Sequence, residues 1–187
     1  AYLQDSIIKY IDKENNRISS LISEKQNFIK LLQENRKAMI SHVVTKGLNP
    51  NVTMKDSGVE WIGEIPEHWE VTKLRYLGQC QNGINIGGEF FGKGHPFISY
   101  GDVYNNKSLP MQVKGLVEST EKDREIYSVK SGDVLFTRTS ETIDEIGFTS
   151  VCHKDFVDAV FAGFLIRFRP KESAIQSKFS EYYFQNE

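Results

Sequence analysis

Polar and basic side chains concentrate in two segments of the 187-residue chain, and their types suit contacts with nucleic acid. The first segment, residues 79–114, is basic and rich in glycine, and we predict that its polar residues lie in loops or turns. Asn and Gln can bind the edge of adenine, Lys can bind guanine, and Tyr and Ser can bind phosphate. The predicted DNA contacts of this segment are Gln81, Asn82, Asn85, Lys93, Ser99, Tyr100, Tyr104, Asn105, Asn106 and Lys107.

The second segment is Thr137, Arg138, Thr139 and Ser140, directly after a predicted strand. An arginine flanked by hydroxyl groups suits contacts with phosphate and with base edges, so these four residues are also predicted to contact DNA. Taken singly, each residue of either segment is better explained as a solvated loop residue than as a DNA contact. Arg138 could instead pair with Glu141 or another nearby acid.

Residues 87–93, GGEFFGK, have the spacing of a phosphate-binding P-loop. The next residue should be Ser or Thr to hold magnesium, but it is Gly94. His95 and Pro96 follow, and proline disfavours the helix that should face the phosphates. We therefore predict a flexible glycine-rich loop with an exposed Lys93 rather than a nucleotide site.

No spacing of histidines and cysteines predicts a metal site, and no nucleophile motif predicts a catalytic residue. We accordingly expect no cofactor.

Cys80 and Cys152 cannot form a disulfide framework, which favours a reducing cytoplasm. The composition is that of a soluble globular protein, and no apolar run is long enough to span a bilayer.

The N-terminal segment, residues 1–47, is predicted to be one long helix, because no glycine or proline occurs before Gly47. At 1.5 Å per residue such a helix reaches roughly 68 Å. Apolar residues recur at intervals near 3.5, so we expect this stripe to pack against a partner helix. The predicted helix-pairing residues are Ile7, Ile11, Ile18, Leu21, Ile22, Phe28, Ile29, Leu32, Met39 and Val43.

Charge is unevenly distributed, although the formal net charge is only −2. Residues 1–47 and residues 71–115 each carry a net +3, whereas residues 48–70 and residues 116–187 each carry −4. The near-neutral total argues against indiscriminate coating of nucleic acid, but a local DNA-binding face remains compatible with it.

The rest of the chain is predicted to be an α+β unit with a mostly antiparallel sheet and flanking helices. Residues 48–70 form a connector and a turn-rich strap whose two tryptophans should anchor to a core, and residues 71–187 form the globular domain. A helix is expected from about Ser173 to the end. The predicted strands are residues 71–77, 96–99, 108–116, 133–137, 147–152 and 163–169.

Four segments resemble type I restriction–modification specificity subunits. Residues 36–50 resemble the end of that family's long helix, and residues 56–71 resemble the entry to its target recognition domain. Two further segments resemble core parts of that domain. In order, the four read RKAMISHVVTKGLNP, DSGVEWIGEIPEHWEV, GDVLFTRTS and FAGFLIRFRP.

The resemblance implies a non-catalytic subunit with two target recognition domains, each followed by a long helix. The two helices pair antiparallel and separate the two halves of a split double-stranded DNA target. Methyltransferase subunits and a motor-nuclease subunit join the assembly. From this resemblance we expect the chain to contain one helix and the second recognition domain, and to end short of that domain's C-terminus.

Two partners for the helix follow from this resemblance. It should pair with a second specificity half or, through self-association, with a second copy of this chain.

Residues 48–187 carry 15 basic and 20 acidic residues, so we expect weak DNA binding by this chain alone. The alternative is a coiled-coil adaptor whose globular domain binds protein rather than DNA.

Overall fold

The computed structural model describes residues 2–138, 147–172 and 174–184. The chain divides into two units, one reaching Leu48 and the other starting at Asn49. The predicted α+β class, with a long N-terminal helix before a mixed and mainly antiparallel β structure, is confirmed.

The first unit is helix α1, Tyr2–Lys46, whose 45 residues form one uninterrupted element. It ends where Gly47 adopts a φ of 81° and its N–H donates to the carbonyl oxygen of Val43 at 3.1 Å. This is the C-terminal glycine cap that the sequence predicts. No residue of α1 is buried, and Ile18 and Ile22 are each about half exposed. A single helix cannot cover its own apolar stripe.

Charged residues occur along the whole of α1. Within the described ranges, no helix combines the length and the apolar character needed to cross a membrane.

The second unit alternates short strands and short helices. Its elements are β1 Met54–Asp56, β2 Glu64–Pro66, α2 Leu74–Leu77, β3 Gly78–Asn82, a 3₁₀ turn Gly88–Phe90, β4 Phe91–Ile98, α3 Tyr100–Tyr104, β5 Gly115–Val117, α4 Glu121–Ile126, β6 Val134–Thr137, β7 Thr149–Val151, β8 Val160–Phe161, β9 Leu165–Pro170 and α5 Ser177–Tyr183.

These strands form three sheets. Strands β1 and β2 pair as an antiparallel ribbon, and a four-stranded antiparallel sheet has the order β3-β9-β6-β7. A three-stranded sheet has the order β5-β4-β8, in which β4 pairs antiparallel with β5 and parallel with β8. Strand β9 is therefore central, with β3 on one side and β6 on the other.

The four-stranded sheet has a buried cluster on each face. Leu135 and Leu165 belong to the main core with Phe161, whereas Val134 and Phe168 belong to a second cluster. Neighbouring residues of a strand point to opposite faces, which explains why Val134 and Leu135 enter different clusters. Both faces are covered, so β6 contains an uninterrupted apolar run, Val-Leu-Phe.

A buried ion pair joins β9 to the turn before β6. The Arg169 guanidinium donates to both carboxylate oxygens of Asp133, each at 2.7 Å, and it also donates to the carbonyl oxygen of Ser128 at 3.0 Å. The Asp133 side chain is 1% exposed, and its carboxylate also accepts from the N–H of Lys130. Hydrogen bonding to the carboxylate raises the pKa of Arg169.

A second arginine of β9 is buried beside the first. The Arg167 guanidinium donates to the carbonyl oxygen of Ser128 and to Oε1 of Gln81, the latter at 2.5 Å, and lies 5.4 Å from the ring centroid of Phe161. Burial is the main reason that the pKa of Arg167 is lowered. Both arginines thus connect β9 to neighbouring segments of the same unit.

Several predicted elements are misplaced. The predicted strand 71–77 is wrong, because Leu74–Leu77 is helical and the strand starts at Gly78. In the predicted strand 108–116 only the end is a strand, as part of β5. Helix α5 starts at Ser177 rather than Ser173, which lies outside the described residues. Strand β3 reads Gly-Gln-Cys-Gln-Asn, and its pairing with β9 overrides its weak β propensity.

The strap of residues 48–70 is anchored differently from the prediction. Trp61 is 85% exposed and Trp69 is half-buried, whereas Ile65 in β2 is only 5% exposed. The prediction that both indoles anchor the strap is therefore wrong for Trp61, because Ile65 is the buried apolar side chain here.

The two cysteines are free thiols. Cys80 is exposed, whereas Cys152 is fully buried, and burial raises the pKa of the Cys152 thiol to about 12. Cys152 is therefore a packing residue of the main core rather than a nucleophile.

Replacing one member of the Asp133–Arg169 pair should destabilise the second unit strongly. Arg169→Ala leaves the Asp133 carboxylate buried without its cation, and we expect a loss of about 3 kcal/mol in the free energy of unfolding. The double variant Asp133→Ala/Arg169→Ala should lose less than the sum of the two single variants. Urea unfolding of all four proteins measures this coupling, and strictly additive losses would contradict it.

Candidate nucleic-acid interface

Three strand ends meet at one end of the four-stranded sheet. Strand β3 ends at Asn82, which pairs with Ile166, and β6 ends at Thr137, which pairs with Leu165. Since β9 runs antiparallel to both, its first residues lie between these two ends. The residues that follow β3 and β6 therefore flank the β8–β9 turn. We call Asn82, Asn85, Arg138 and Phe164 the rim.

Hydrogen bonds fix the backbone of the rim. The N–H of Arg138 donates to the carbonyl oxygen of Phe164 at 2.9 Å, and the N–H of Gly83 donates to that of Leu165 at 3.1 Å. The N–H of Leu165 closes the turn onto Ala162 at 3.0 Å. The turn is thus held from both neighbouring strands. The Phe164 side chain nevertheless remains 62% exposed.

Close approaches explain two glycines at this site. A Cβ atom on Gly163 would lie 1.9 Å from Oδ1 of Asn85, so only glycine leaves room for that amide. A Cβ atom on Gly83 would lie 2.1 Å from the carbonyl oxygen of Ala162. The segment between β3 and β4 therefore crosses directly over the β8–β9 turn, which places Asn85 beside Phe164.

An aromatic stack adjoins the rim. The rings of Tyr100 and Tyr104 are stacked with centroids 5.7 Å apart, and Tyr104 stacks on Phe148 at 5.2 Å. The carbonyl oxygen of Phe148 accepts from the N–H of Thr137, the last residue of β6. The stack thus positions α3 at the end of β6 that Arg138 follows.

Three other predicted contacts of this region have structural roles in α3. Ser99 caps the helix, and its hydroxyl accepts from the N–H of Asp102 at 3.2 Å. The side-chain amides of Asn105 and Asn106 donate, each at 2.9 Å, to carbonyl oxygens of the preceding turn. These bonds stabilise the helix ends. DNA contacts by these residues remain predictions.

The two predicted lysines lie elsewhere. Lys93 is in β4 rather than in a loop, and its ammonium lies 3.1 Å from the Glu118 carboxylate. It precedes Ile98 by five residues and lies where the register of β4 with β5 shifts. Ile98 is the β4 residue whose carbonyl oxygen accepts from Ala162, close to the rim. Lys107 is exposed and follows α3, and its carbonyl oxygen accepts from the N–H of Val151.

Burial corrects one predicted DNA contact, Thr137, and a hydrogen bond within the unit engages another, Gln81. Thr137 is only 4% exposed, and its hydroxyl has no hydrogen-bond partner among the described residues. Gln81 lies in β3, and its amide oxygen accepts from Arg167. The buried Thr137 hydroxyl is not available to a DNA groove. Gln81 is half-buried, and its contact with DNA remains a prediction. Thr139 and Ser140 lie outside the described residues.

The glycine-rich segment does not have the geometry of a P-loop. Its residues Gly88–Phe90 form a short 3₁₀ turn, and the chain then continues as strand β4. A P-loop needs a following α-helix whose N-terminus faces the phosphates. Lys93 lies in the part of β4 between Phe91 and His95 where the register with β5 shifts, and its side chain is exposed, as predicted.

One cluster has the residue types of a hydrolytic triad but not the geometry. The Ser108 hydroxyl lies 3.3 Å from Nε2 of His153, and the Glu181 carboxylate lies 3.4 Å from the same nitrogen. A triad needs the serine and the carboxylate on opposite ring nitrogens. The nearby Lys178 ammonium holds the pKa of Glu181 below its usual value. Among the described residues, no three His, Cys, Asp or Glu side chains form a metal site.

Comparison with known proteins identifies the relatives of this chain. No protein-family model matches it. It is 29% identical, over 66% of its length, to the type I restriction enzyme MjaVIII specificity subunit of Methanocaldococcus jannaschii. It is 30% identical, over 52% of its length, to a candidate type I restriction enzyme MjaX specificity subunit of the same archaeon.

Solved structures share the fold. The chain superposes on the HsdS subunit from Thermoanaerobacter tengcongensis with a TM-score of 0.53 over 91% of its length, at 15% identity. A structure described as the basis of complex assembly and conformational transition of the type I R-M system gives 0.52 over 89%, also at 15% identity.

The chain is a relative of type I restriction enzyme specificity subunits. The resemblance that its motifs predict is thus confirmed. The chain spans 30% and 26% of the length of the two sequence relatives and 38% and 39% of the two solved chains. It therefore corresponds to only a part of such a subunit.

Sequence reasoning missed Phe164, the most exposed apolar side chain of the rim. A signal was present in Phe-Ala-Gly-Phe-Leu, where a glycine interrupts an apolar run. A residue directly after such a turn glycine can point outward although its neighbours are buried. Only the pairing of β9 with both β3 and β6 shows that this turn lies beside Asn82 and Arg138.

Because Thr137 is buried, we expect its substitution to leave DNA affinity unchanged, unlike substitution of the exposed Arg138. Thr137→Val removes a buried hydroxyl without a partner and keeps the shape of the side chain. We expect unfolding free energy to stay constant or to rise by up to about 1 kcal/mol, and DNA affinity of the assembled protein to stay unchanged. Thermal unfolding and a DNA-binding titration test this. If Thr137→Val lowers DNA affinity while the free energy of unfolding is unchanged, the prediction is wrong and Thr137 contacts DNA.

Proposed function

We propose that this chain is a DNA-recognition part of a type I restriction–modification complex and that it reads one half of a bipartite double-stranded target. The observation that carries the proposal is the rim, where two amides, one guanidinium and one aromatic ring project beside a hydrogen-bonded turn. Kinship with specificity subunits supports the same role.

The rim side chains suit direct readout of bases. The amides of Asn82 and Asn85 can each bind the edge of adenine, and Arg138 can bind guanine or phosphate. The exposed ring of Phe164 can contact a thymine methyl group or a base face. A fixed backbone beneath these side chains reduces the entropy lost when they bind. The chain itself carries out no chemistry in this proposal.

Helix α1 has a separate role in the proposed assembly. Its exposed apolar stripe pairs antiparallel with a second long helix, either of a second specificity half or of a second copy of this chain. That pairing sets the distance between two recognition units on the DNA. Methyltransferase subunits and a motor-nuclease subunit join the complex, which acts in the cytoplasm as a bacterial defence.

Charge explains why assembly matters for binding. Residues 48–187 carry 15 basic and 20 acidic residues, so this part of the chain repels DNA at long range. Joining two recognition units makes the second binding event intramolecular and raises the overall affinity without new contacts. We therefore expect weak DNA binding by one unit and specific binding by the complex.

Variants of the rim test the proposed function. The complete complex, with its methyltransferase subunits, is titrated by fluorescence anisotropy onto the target found by mapping methylated positions in host DNA. Arg138→Ala and Phe164→Ala should each weaken binding about tenfold, since one good base contact is worth about 1–3 kcal/mol. Lys93→Ala should lose less, because Lys93 is already paired with Glu118.

Matched controls lie away from the rim. Lys171→Ala removes an exposed basic side chain just beyond the opposite end of β9, and Phe179→Ala removes a half-exposed ring on α5. Neither should change DNA affinity. If wild type binds and all rim variants bind equally well, the assigned interface is wrong. If wild type shows no salt-dependent DNA binding, the protein-binding adaptor is the better function.

The apolar stripe of α1 should drive self-association of this chain. We expect sedimentation of the wild type at micromolar concentration to show a dimer, because pairing buries the exposed Leu21 and Ile22. Leu21→Glu/Ile22→Glu should be monomeric and remain helical. Ser20→Glu changes the neighbouring residue and serves as control. A monomeric wild type would contradict helix pairing between copies.

A further inference from the structure

The apolar stripe of α1 has the same pattern in both directions from Lys25. Four apolar residues precede Lys25 at distances of three, four, seven and fourteen residues, and four follow it at the same distances. The eight residues are Ile11, Ile18, Leu21, Ile22, Phe28, Ile29, Leu32 and Met39. Each of them is between 44% and 63% exposed. The exposed stripe is therefore symmetric about one lysine.

The polar interruptions of the stripe are symmetric as well. Asn15 and Asn35 lie ten residues on either side of Lys25, and Glu14 and Arg36 lie eleven residues on either side. If two copies of α1 run antiparallel with both Lys25 residues at the centre, Glu14 and Asn15 of one helix share a layer with Asn35 and Arg36 of the other. Carboxylate, amide and guanidinium groups can hydrogen-bond to one another, so this layer contains polar groups that match.

Lys25 distinguishes this centred register from its alternatives. Lys25 lies in a shallow groove that also includes Leu21, Ile22 and Ile29. In the centred register the two Lys25 side chains face each other, and their long stems can extend to solvent. A shift of three, four or seven residues in either direction places each Lys25 against apolar residues of the other helix. Burying an ammonium group against apolar side chains costs free energy, so each of these shifts is disfavoured.

Charge favours the antiparallel orientation over the parallel one. Residues 1–24 carry three basic and four acidic residues, whereas residues 26–47 carry four basic residues and one acidic residue. A parallel pair would place the two C-terminal halves side by side, each with a net +3. It would also place Glu14 against Glu14 and Arg36 against Arg36. An antiparallel pair instead places a half of net −1 against a half of net +3, which removes this repulsion.

We infer that the occupant of the stripe is a second copy of this chain, paired antiparallel about a two-fold axis at Lys25. The inference rests on the helix pairing in the proposed function, and it adds which partner binds and in which register. A two-fold interface joins the same surface of two identical chains, so the surface must complement itself. The symmetric stripe meets this requirement, whereas pairing with a different helix requires a match to that helix alone.

Disulfide cross-linking of the full chain tests the register. The background variant Cys80→Ser removes the exposed natural thiol. In this background, Lys25→Cys should cross-link two copies efficiently under mild oxidation, because residues that face each other on the two-fold axis lie within disulfide reach. Ser23→Cys is the matched control, since Ser23 is exposed two residues away on the opposite side of the helix, and it should form little cross-linked dimer. Non-reducing electrophoresis measures the dimer fraction.

Two further cysteine variants test the orientation. Ile18→Cys should not cross-link to itself, because the two copies of residue 18 would lie fourteen residues apart, about 21 Å along the helix. Mixed with a size-tagged Leu32→Cys chain, it should form a mixed dimer, because Ile18 of one helix lies level with Leu32 of the other. Parallel pairing would give the reverse result, with Ile18→Cys linked to itself and no mixed product.

Removing the central charge should strengthen self-association. Lys25→Leu replaces two facing ammonium groups with apolar side chains, so we expect the dimer dissociation constant to fall about tenfold. Lys30→Leu is the matched control, because Lys30 lies off the stripe with its side chain 75% exposed, and it should leave the constant unchanged. Sedimentation equilibrium measures both. A dissociation constant that does not fall in Lys25→Leu would show that Lys25 is not at the centre.

The outcomes distinguish this inference from the proposed function. If the wild type is dimeric but Lys25→Cys cross-links no better than Ser23→Cys, the inferred register is wrong and helix pairing stands. If the wild type is monomeric at micromolar concentration, a second copy is not the occupant and the inference is overturned. DNA recognition is decided separately, by the rim variants in the complete complex.

Discussion

The buried ion pair between Asp133 and Arg169 is the interaction on which the second unit depends. Asp133 lies in the turn before β6, and Arg169 lies near the end of β9, so the pair fixes one strand against the other. The cost of burying a carboxylate is offset only when its hydrogen bonds are complete, as they are here with Arg169 and the N–H of Lys130. The register of β6 on β9 thus has little freedom to slip.

That register decides which polar residues meet. With Val134 opposite Phe168, the last residue of β6 lies opposite Leu165, and Arg138 reaches the β8–β9 turn. A shift by one residue would send the buried side chains of β6 to the opposite faces and move Arg138 away from Phe164. The ion pair at one end of the sheet therefore supports the geometry of the rim at the other end.

Charge and exposed apolar surface differ along the chain. Helix α1 is basic and carries an uncovered apolar stripe, residues 48–70 are acidic, and the rim combines neutral amides with one arginine. The separate contacts that we propose for α1 and for the rim match this difference, because α1 offers apolar surface to another helix and the rim offers hydrogen-bonding groups to base edges.

The sequence by itself determined the features that depend on local or continuous patterns. The absence of glycine and proline before Gly47 specified α1 and its end, and four motifs identified the family of relatives. Tertiary structure decided which separated residues lie together. It buried Thr137, engaged Gln81 with Arg167, and exposed Phe164 and Trp61. Helical periodicity is encoded by residues three and four apart, whereas the pairing of β9 with β3 and β6 joins residues up to 92 positions apart, such as Gly78 and Pro170. Such long-range pairing has no signature in a single stretch of sequence.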